Sequence, residues 1–275
     1  MEEILREDRE GVIVLALNRP NKRNAMTIAM RETIFQAVDD LRDREDLKVL
    51  LIRANGAFFT AGIDIVEHQQ KFPSTRTMQE FRRDYRRNIH RQFDEMEMVE
   101  KPIVMAINGP CLGLGVEMAG AVDFRLASTE ARFGLPEVDL GMIAGSGGTS
   151  RIVRLCGVGW TKWLGMAGEQ MDAQTALIAG LVQVVWPTEE FENRVWAFCQ
   201  KLAGKPADAV GVAKLAIDLC KDLDRSGGRT LERIANTPLV LRDNNFGNYK
   251  QRIDDQLSKT QPPNSPSSTS NEEKK

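Results

Sequence analysis

Two glutamates and two glycine-rich stretches hold the residues of this 275-residue chain best suited to chemistry. Glu117 sits in an otherwise apolar run, Val116-Glu117-Met118-Ala119-Gly120-Ala121-Val122, and Glu137 follows Phe133-Gly134-Leu135-Pro136. Two carboxylates around one small molecule supply an acid and a base, because their pKa values separate and one keeps its proton near neutrality. The same residues also read as first-turn glutamates favoured by a helix dipole. A straight helix would hold them about 30 Å apart, but Gly120, Gly134 and Pro136 interrupt the interval and let the chain fold back. Spacing alone leaves both readings open.

The first glycine stretch, Asn108-Gly109-Pro110-Cys111-Leu112-Gly113-Leu114-Gly115, leads from an apolar strand into a helix, where unpaired N–H groups can face an anion. It lacks the third glycine of the dinucleotide fingerprint. The second, Gly145-Ser146-Gly147-Gly148-Thr149-Ser150, lacks the following lysine of a P-loop. Each also reads as a tight turn. Arg82, Arg83, Arg86, Arg87 and Arg91 recur at i, i+4 spacing on one helix, as a solvated face or as a contact for cofactor phosphates or RNA.

The elements that must position these residues follow from periodicity. Gly11–Asn18, Val49–Ile52 and Ile103–Ile107 are apolar strands, with others near 122–127 and 181–186. Thr27 caps a helix running to about Arg44, and 75–98, 149–179 and 188–257 are largely helical. Alternating strands and helices predict an α/β core over 1–190 and a helical region over 191–257. Residues 258–275 contain no aliphatic or aromatic side chain and are predicted to be a disordered tail.

Composition narrows the function. A net charge of −2 argues against a general nucleic-acid binder. No apolar run reaches the roughly 18–20 residues of a membrane span, and the acidic N-terminus is unlike a leader, so a cytoplasmic protein without a membrane partner is expected. The four cysteines are widely spaced and read as buried apolar residues. Only two histidines are present, which disfavours a zinc site or a Ser-His-Asp triad.

Several segments occur in an informative order: Leu17-Asn18-Arg19-Pro20 through Asn24-Ala25-Met26, Phe59-Thr60-Ala61-Gly62-Ile63-Asp64, Lys101 to Gly109, Phe133-Gly134-Leu135-Pro136-Glu137, Gly141 with Gly145 to Arg151, and Gly180-Leu181-Val182. Over about residues 4–256 the chain resembles the enoyl-CoA hydratase/isomerase (crotonase) superfamily. The resemblance implies a crotonase (ClpP-like) spiral of repeated β-β-α units with a C-terminal helical, trimerising region, assembled as a homotrimer or a homohexamer made of two trimers. It implies an acyl-CoA thioester as substrate, with coenzyme A arriving as part of that substrate, no permanently bound cofactor and no metal.

It also implies roles. The backbone N–H groups of Ile63 and Leu114 would form an oxyanion hole for the thioester oxygen. Glu117 would activate water at C3 of a 2-enoyl-CoA and Glu137 would protonate C2, giving a hydratase that adds water in the syn sense. Lys22, Ala61, Gly62, Asp64, Ile65, Gly113 and Gly145 would lie along coenzyme A and the acyl group. Leu114 departs from the three glycines of many members and is expected to narrow the pocket or re-aim the loop. Gly145 stands where dienoyl-CoA isomerases carry Asp, which argues against that activity. The alternatives are 3,2-enoyl-CoA isomerisation, carbon–carbon hydrolysis, hydration of an aromatic or carnitine-type acyl-CoA, and a non-catalytic RNA-binding homologue.

Overall fold

The computed structural model describes residues 2–71 and 77–242, together with 251, 253 and 254. In chain order the elements are β1 (Ile4–Arg9), β2 (Val12–Leu17), a 3-10 turn (Pro20–Lys22), α1 (Ile28–Asp43), β3 (Val49–Ala54), α2 (Ile65–Lys71) and α3 (Met78–Tyr85). A π-helical segment, Arg86–His90, leads into α4 (Arg91–Met98). Then come β4 (Ile103–Ile107), β5 (Pro110–Leu112), α5 (Leu114–Ala119), β6 (Phe124–Ser128), β7 (Arg132–Gly134), a second 3-10 turn (Pro136–Leu140) and α6 (Gly148–Gly165). The remainder is β8 (Met171–Asp172), α7 (Ala173–Ile178), β9 (Val184–Trp186), α8 (Thr188–Ala203), α9 (Ala207–Cys220) and α10 (Arg225–Leu241).

The apolar runs form one six-stranded sheet in the order β1-β2-β3-β4-β6-β9. Every pair from β2 onward is parallel, which needs both faces covered and explains the apolar runs of β2, β4 and the first four residues of β3. The pleat sends Ile13, Leu15, Leu50, Ile52, Ile103 and Met105 into the larger core. Val12, Val14, Val49, Leu51 and Val104 face the other way, onto Phe191, Val195, Cys199 and Leu202 of α8. The polar edge strand β1 carries no apolar alternation and escapes a reading by periodicity. Glu10 and Gly11, both at positive φ, turn it back antiparallel onto β2.

A second, three-stranded sheet has the order β5-β7-β8. Its strands have only two or three residues, too short for periodicity to reveal. β8 and α7 therefore replace part of the helix expected over 149–179. The two sheets explain the spiral: β4-β5-α5 is one turn and β6-β7-α6 the next, each giving one strand to either sheet. The β3 turn does the same with a single bridge, Thr60 to Cys111, in place of a second strand.

The described residues divide into two compact units, with the boundary between Leu215 and Ala216. The first extends past the boundary expected near residue 190, because α8 covers a face of the main sheet and Lys214 of α9 ties back to it. The Lys214 ammonium donates to Met96 O at 2.9 Å and pairs with Asp123 at 3.0 Å. In the second unit, Asp224 caps α10 by accepting the Gly227 N–H at 2.7 Å. The tail expected over 258–275 lies outside the described residues. Among the described residues no helix is long and apolar enough to cross a membrane.

Candidate active site

Three successive turns of the spiral end side by side, and Asn24 anchors the first of them. It is wholly buried in the left-handed region that asparagine tolerates (φ 51°). Its amide accepts the Arg19 N–H at 2.7 Å and donates to Asn55 O and Phe58 O at 2.9 and 2.8 Å. The chain beyond forms a parallel bridge between Met26 and Ile63. Met26 N–H donates to Gly62 O, and Asp64 N–H donates to Met26 O. That pairing uses groups of residues 62 and 64, so the N–H of Ile63 is left on the opposite edge.

Gly62 presses this edge against the second turn. It has φ 96°, and a Cβ there would lie 3.1 Å from Leu112 O and 3.5 Å from Leu114 N, a close approach suited to glycine. Leu114 opens α5, where the first N–H groups have no intrahelical acceptor. Among the described residues neither of these two main-chain donors has a backbone acceptor, and the turns that carry them meet at Gly62. The Leu114 side chain is buried and lines a void of about 10 Å³ with Met26, Arg31, Phe93, Met96 and Met118. Leu114 thus packs within the larger core.

Glu117 lies one turn into α5, all of whose residues are buried. Its side chain is held by the second glycine stretch: Oε2 accepts N–H from Ser146 at 2.6 Å and from Gly148 at 3.0 Å. The anion this loop cradles is therefore a carboxylate of the same chain. Burial, and then the charge of Glu137, raise the Glu117 pKa to about 7 against the pull of those amides. Glu137 sits on the 3-10 turn after Pro136, one turn of the spiral further on. Burial raises its pKa as well, and its Oε2 is buried with no hydrogen-bond partner among the described residues. A methyl at Gly113 would lie 3.0 Å from Glu137 Oε1, so this carboxyl packs on the loop that carries the Leu114 N–H. The fold-back expected from Gly120, Gly134 and Pro136 is present.

The remaining expected residues divide. Ala61 and Gly62 belong to the edge just described. The Asp64 carboxylate is committed to Arg19 at 3.0 Å and to the Glu67 N–H at 3.1 Å, which starts α2. Ile65 is an exposed first residue of α2, and Lys22 is exposed on the first 3-10 turn. Gly145 O accepts from His90 Nε2–H at 2.6 Å. The run Arg82 to Arg91 is exposed on α3, the π segment and α4, with Arg91 pairing Glu95 at 3.9 Å. Among the described residues no group of His, Cys, Asp and Glu is arranged to hold a metal.

Sequence reasoning missed Asn24, the amides of Ser146 and Gly148, Tyr85 and Arg31. For Arg31 a signal existed: it shares the helical stripe of Ile34, Val38 and Leu41 and is buried with them. Tyr85 gave none. Its Cε1 and its hydroxyl oxygen would lie 3.6 and 3.7 Å from a Cβ at Gly145. Burial raises its pKa, with the charges of Glu117 and Glu137 adding to the effect.

Comparison with known proteins shows the family. The enoyl-CoA hydratase/isomerase family model matches residues 7–234. An enoyl-CoA isomerase/hydratase of Mycosarcoma maydis is 34% identical over 239 residues, covering 84% of this chain and 85% of that protein. The 2,3-dehydroadipyl-CoA hydratase of Escherichia coli is 31% identical over 233 residues, covering 85% and 88%. The crystal structure of an enoyl-CoA hydratase from Bacillus anthracis superposes with a TM-score of 0.82 at 28% identity, covering 91% of this chain and 97% of that one.

Proposed function

The chain belongs to the enoyl-CoA hydratase/isomerase family, and from that premise we propose that it is a 2-enoyl-CoA hydratase. The observation that carries the reading is the pair of pKa-raised carboxylates, Glu117 and Glu137, beside the two left-over amides of Ile63 and Leu114. The thioester oxygen accepts from both N–H groups, which stabilise the negative charge that gathers there as C3 is attacked. Donors fixed before the reaction need no reorganisation, and one such donor is worth about 10²–10³ in rate.

The carboxylates divide the proton work by their surroundings. Two amides hold Glu117 Oε2 and favour its ionised form, leaving Oε1 to take a proton from water as the oxygen adds to C3. Glu137, with a buried and unpartnered oxygen, favours the protonated form and delivers its proton to C2 of the enolate. Water thus adds across the double bond; Glu117 ends protonated, Glu137 ends ionised, and the charge of the pair is unchanged. Solvent exchange resets it. Coenzyme A enters as part of the substrate, and the chemistry calls on no other cofactor. Assembly as a trimer or a dimer of trimers is part of this reading, and light scattering on the purified protein tests it.

The test of the reaction is loss of the conjugated-thioester absorbance of crotonyl-CoA, with Glu117→Gln and Glu137→Gln beside the wild type. A hydratase yields 3-hydroxyacyl-CoA and collapses with either substitution. A 3,2-isomerase tolerates one of them, and enoyl-CoA isomerase is one of the two activities in the name of the Mycosarcoma relative. That outcome would replace the hydratase reading.

A further inference from the structure

A cavity of about 370 Å³ lies between α1, α2, α3, the π segment and α4, with Ile28, Arg31, His68, Phe81, Tyr85 and Ile89 among its lining residues. It has room for about a dozen water-sized groups. Two lining residues tie it to the carboxylates and the thioester loop. Tyr85 stands against Gly145 and feels the charges of both Glu117 and Glu137. Arg31 also lines, with Leu114, the small void beside α5. Through these two residues the cavity is linked to the pair of glutamates and to the buried side of Leu114.

Arg31 is the unusual member of the lining. It is only 9% exposed, yet its guanidinium makes no hydrogen bond or ion pair among the described residues, and its Nε is buried without an acceptor. Three acidic groups lie around it. Glu67 accepts the Ile28 N–H at 2.8 Å, and Glu32, which is exposed, and Asp84, which has a partner of its own, line the same cavity. Glu67 and Glu32 act on Arg31 only through space, and burial still pulls its pKa down. A guanidinium offers five N–H donors in a planar fork that matches a carboxylate, and burying its Nε–H unused is costly.

Resting on the acyl-CoA reading above, we propose that this cavity takes the far end of the acyl group and that Arg31 binds a carboxylate there. The preferred substrate is then a 2-enoyl-CoA whose short chain ends in a second, anionic carboxyl group. An uncharged acyl chain of the same length fits the space but leaves the guanidinium unpaired, so the site discriminates through one missing charge-assisted hydrogen bond.

The experiment is calorimetric binding of two saturated analogues, hexanedioyl-CoA and hexanoyl-CoA, which need no turnover. The wild type should bind the dicarboxylic analogue about 10- to 100-fold more tightly, the worth of a charged hydrogen bond in a buried site. Arg31→Met should abolish that preference while holding hexanoyl-CoA within about threefold, and Arg31→Lys should restore part of it. Equal affinity of the wild type for both analogues would overturn the assignment of Arg31 and leave the thioester site standing. Binding of neither would overturn the acyl-CoA reading and this inference with it. The wild-type comparison decides even where the methionine variant fails to fold.

Discussion

All six residues of α5 are buried, whereas none of the five residues in the turn Pro136–Leu140 is, and the two glutamates inherit that difference. Glu117 is gripped by two amides and pressed by Gly148, where a Cβ would come within 2.5 Å of its Cγ. Glu137 has an oxygen with no partner, and beyond it Leu140, Met142 and Ile143 lie open to solvent. One carboxylate is immobilised and paired. The other is placed by a single proline-led turn and left free to exchange its proton. A base that must hold a water in register benefits from the first setting, and an acid that must hand over a proton benefits from the second.

The sharpest way to break this contrast is to neutralise each acid in turn. Glu117→Gln and Glu137→Gln should each lower kcat for crotonyl-CoA hydration by about 10²–10⁴-fold. Full activity in either variant would mean that the two settings do not correspond to two proton-transfer roles. Next in size is Gly148→Ala, which pushes a methyl onto Glu117. Displacement of a reacting group by about 1 Å costs on the order of 10²-fold, so steady-state assays should show a loss near that with Glu137 untouched. An alanine variant that keeps its rate would mean that the Glu117 pocket yields as easily as the turn.

A stability measurement sharpens the contrast without substrate. The Glu117 pKa is raised from its ordinary 4.5 to about 7, so between those values the folded chain binds more protons than the unfolded one. Stability therefore falls as pH rises through this window, and Glu117→Gln removes that slope. Urea titrations from pH 5 to pH 8 should show the variant gaining about 1–3 kcal/mol relative to wild type. Parallel curves would place Glu117 in water rather than in a sealed pocket. The smallest effect belongs to Gly145→Ala, whose methyl meets only ordinary contacts at 3.6–3.7 Å. Activity should stay within about twofold, the range of a substitution that touches nothing special.

Much of this was legible in the residues. The long parallel strands were readable because sheets covered on both faces demand unbroken apolar runs. Glu117, Glu137 and both glycine stretches stood out because acids in apolar surroundings and clustered glycines each need a reason. What remained hidden depends on contacts distant in sequence. Strands β5, β7 and β8 are too short to alternate, and Asn24 matters only because residues 55 and 58 come to it. The second glycine stretch looked open to a ligand because its acceptor, Glu117, lies 29 and 31 residues away from the amides it receives. The boundary near 190 followed a change in composition, but a helix-rich segment can still be part of a sheet's cover, as α8 is.

The Met26–Ile63 bridge has a consequence for how such a protein changes over generations. If the thioester oxygen is held by the N–H groups of Ile63 and Leu114, the charge-holding element is written in atoms that every residue except proline carries. Side chains at both positions can then drift while the oxygen stays held, and proline at either is the change that removes a donor. Heredity is thus free to experiment with the shape around the acyl group while the two amides go on holding the oxygen. A scaffold wired in this way can acquire a new substrate without first losing its chemistry.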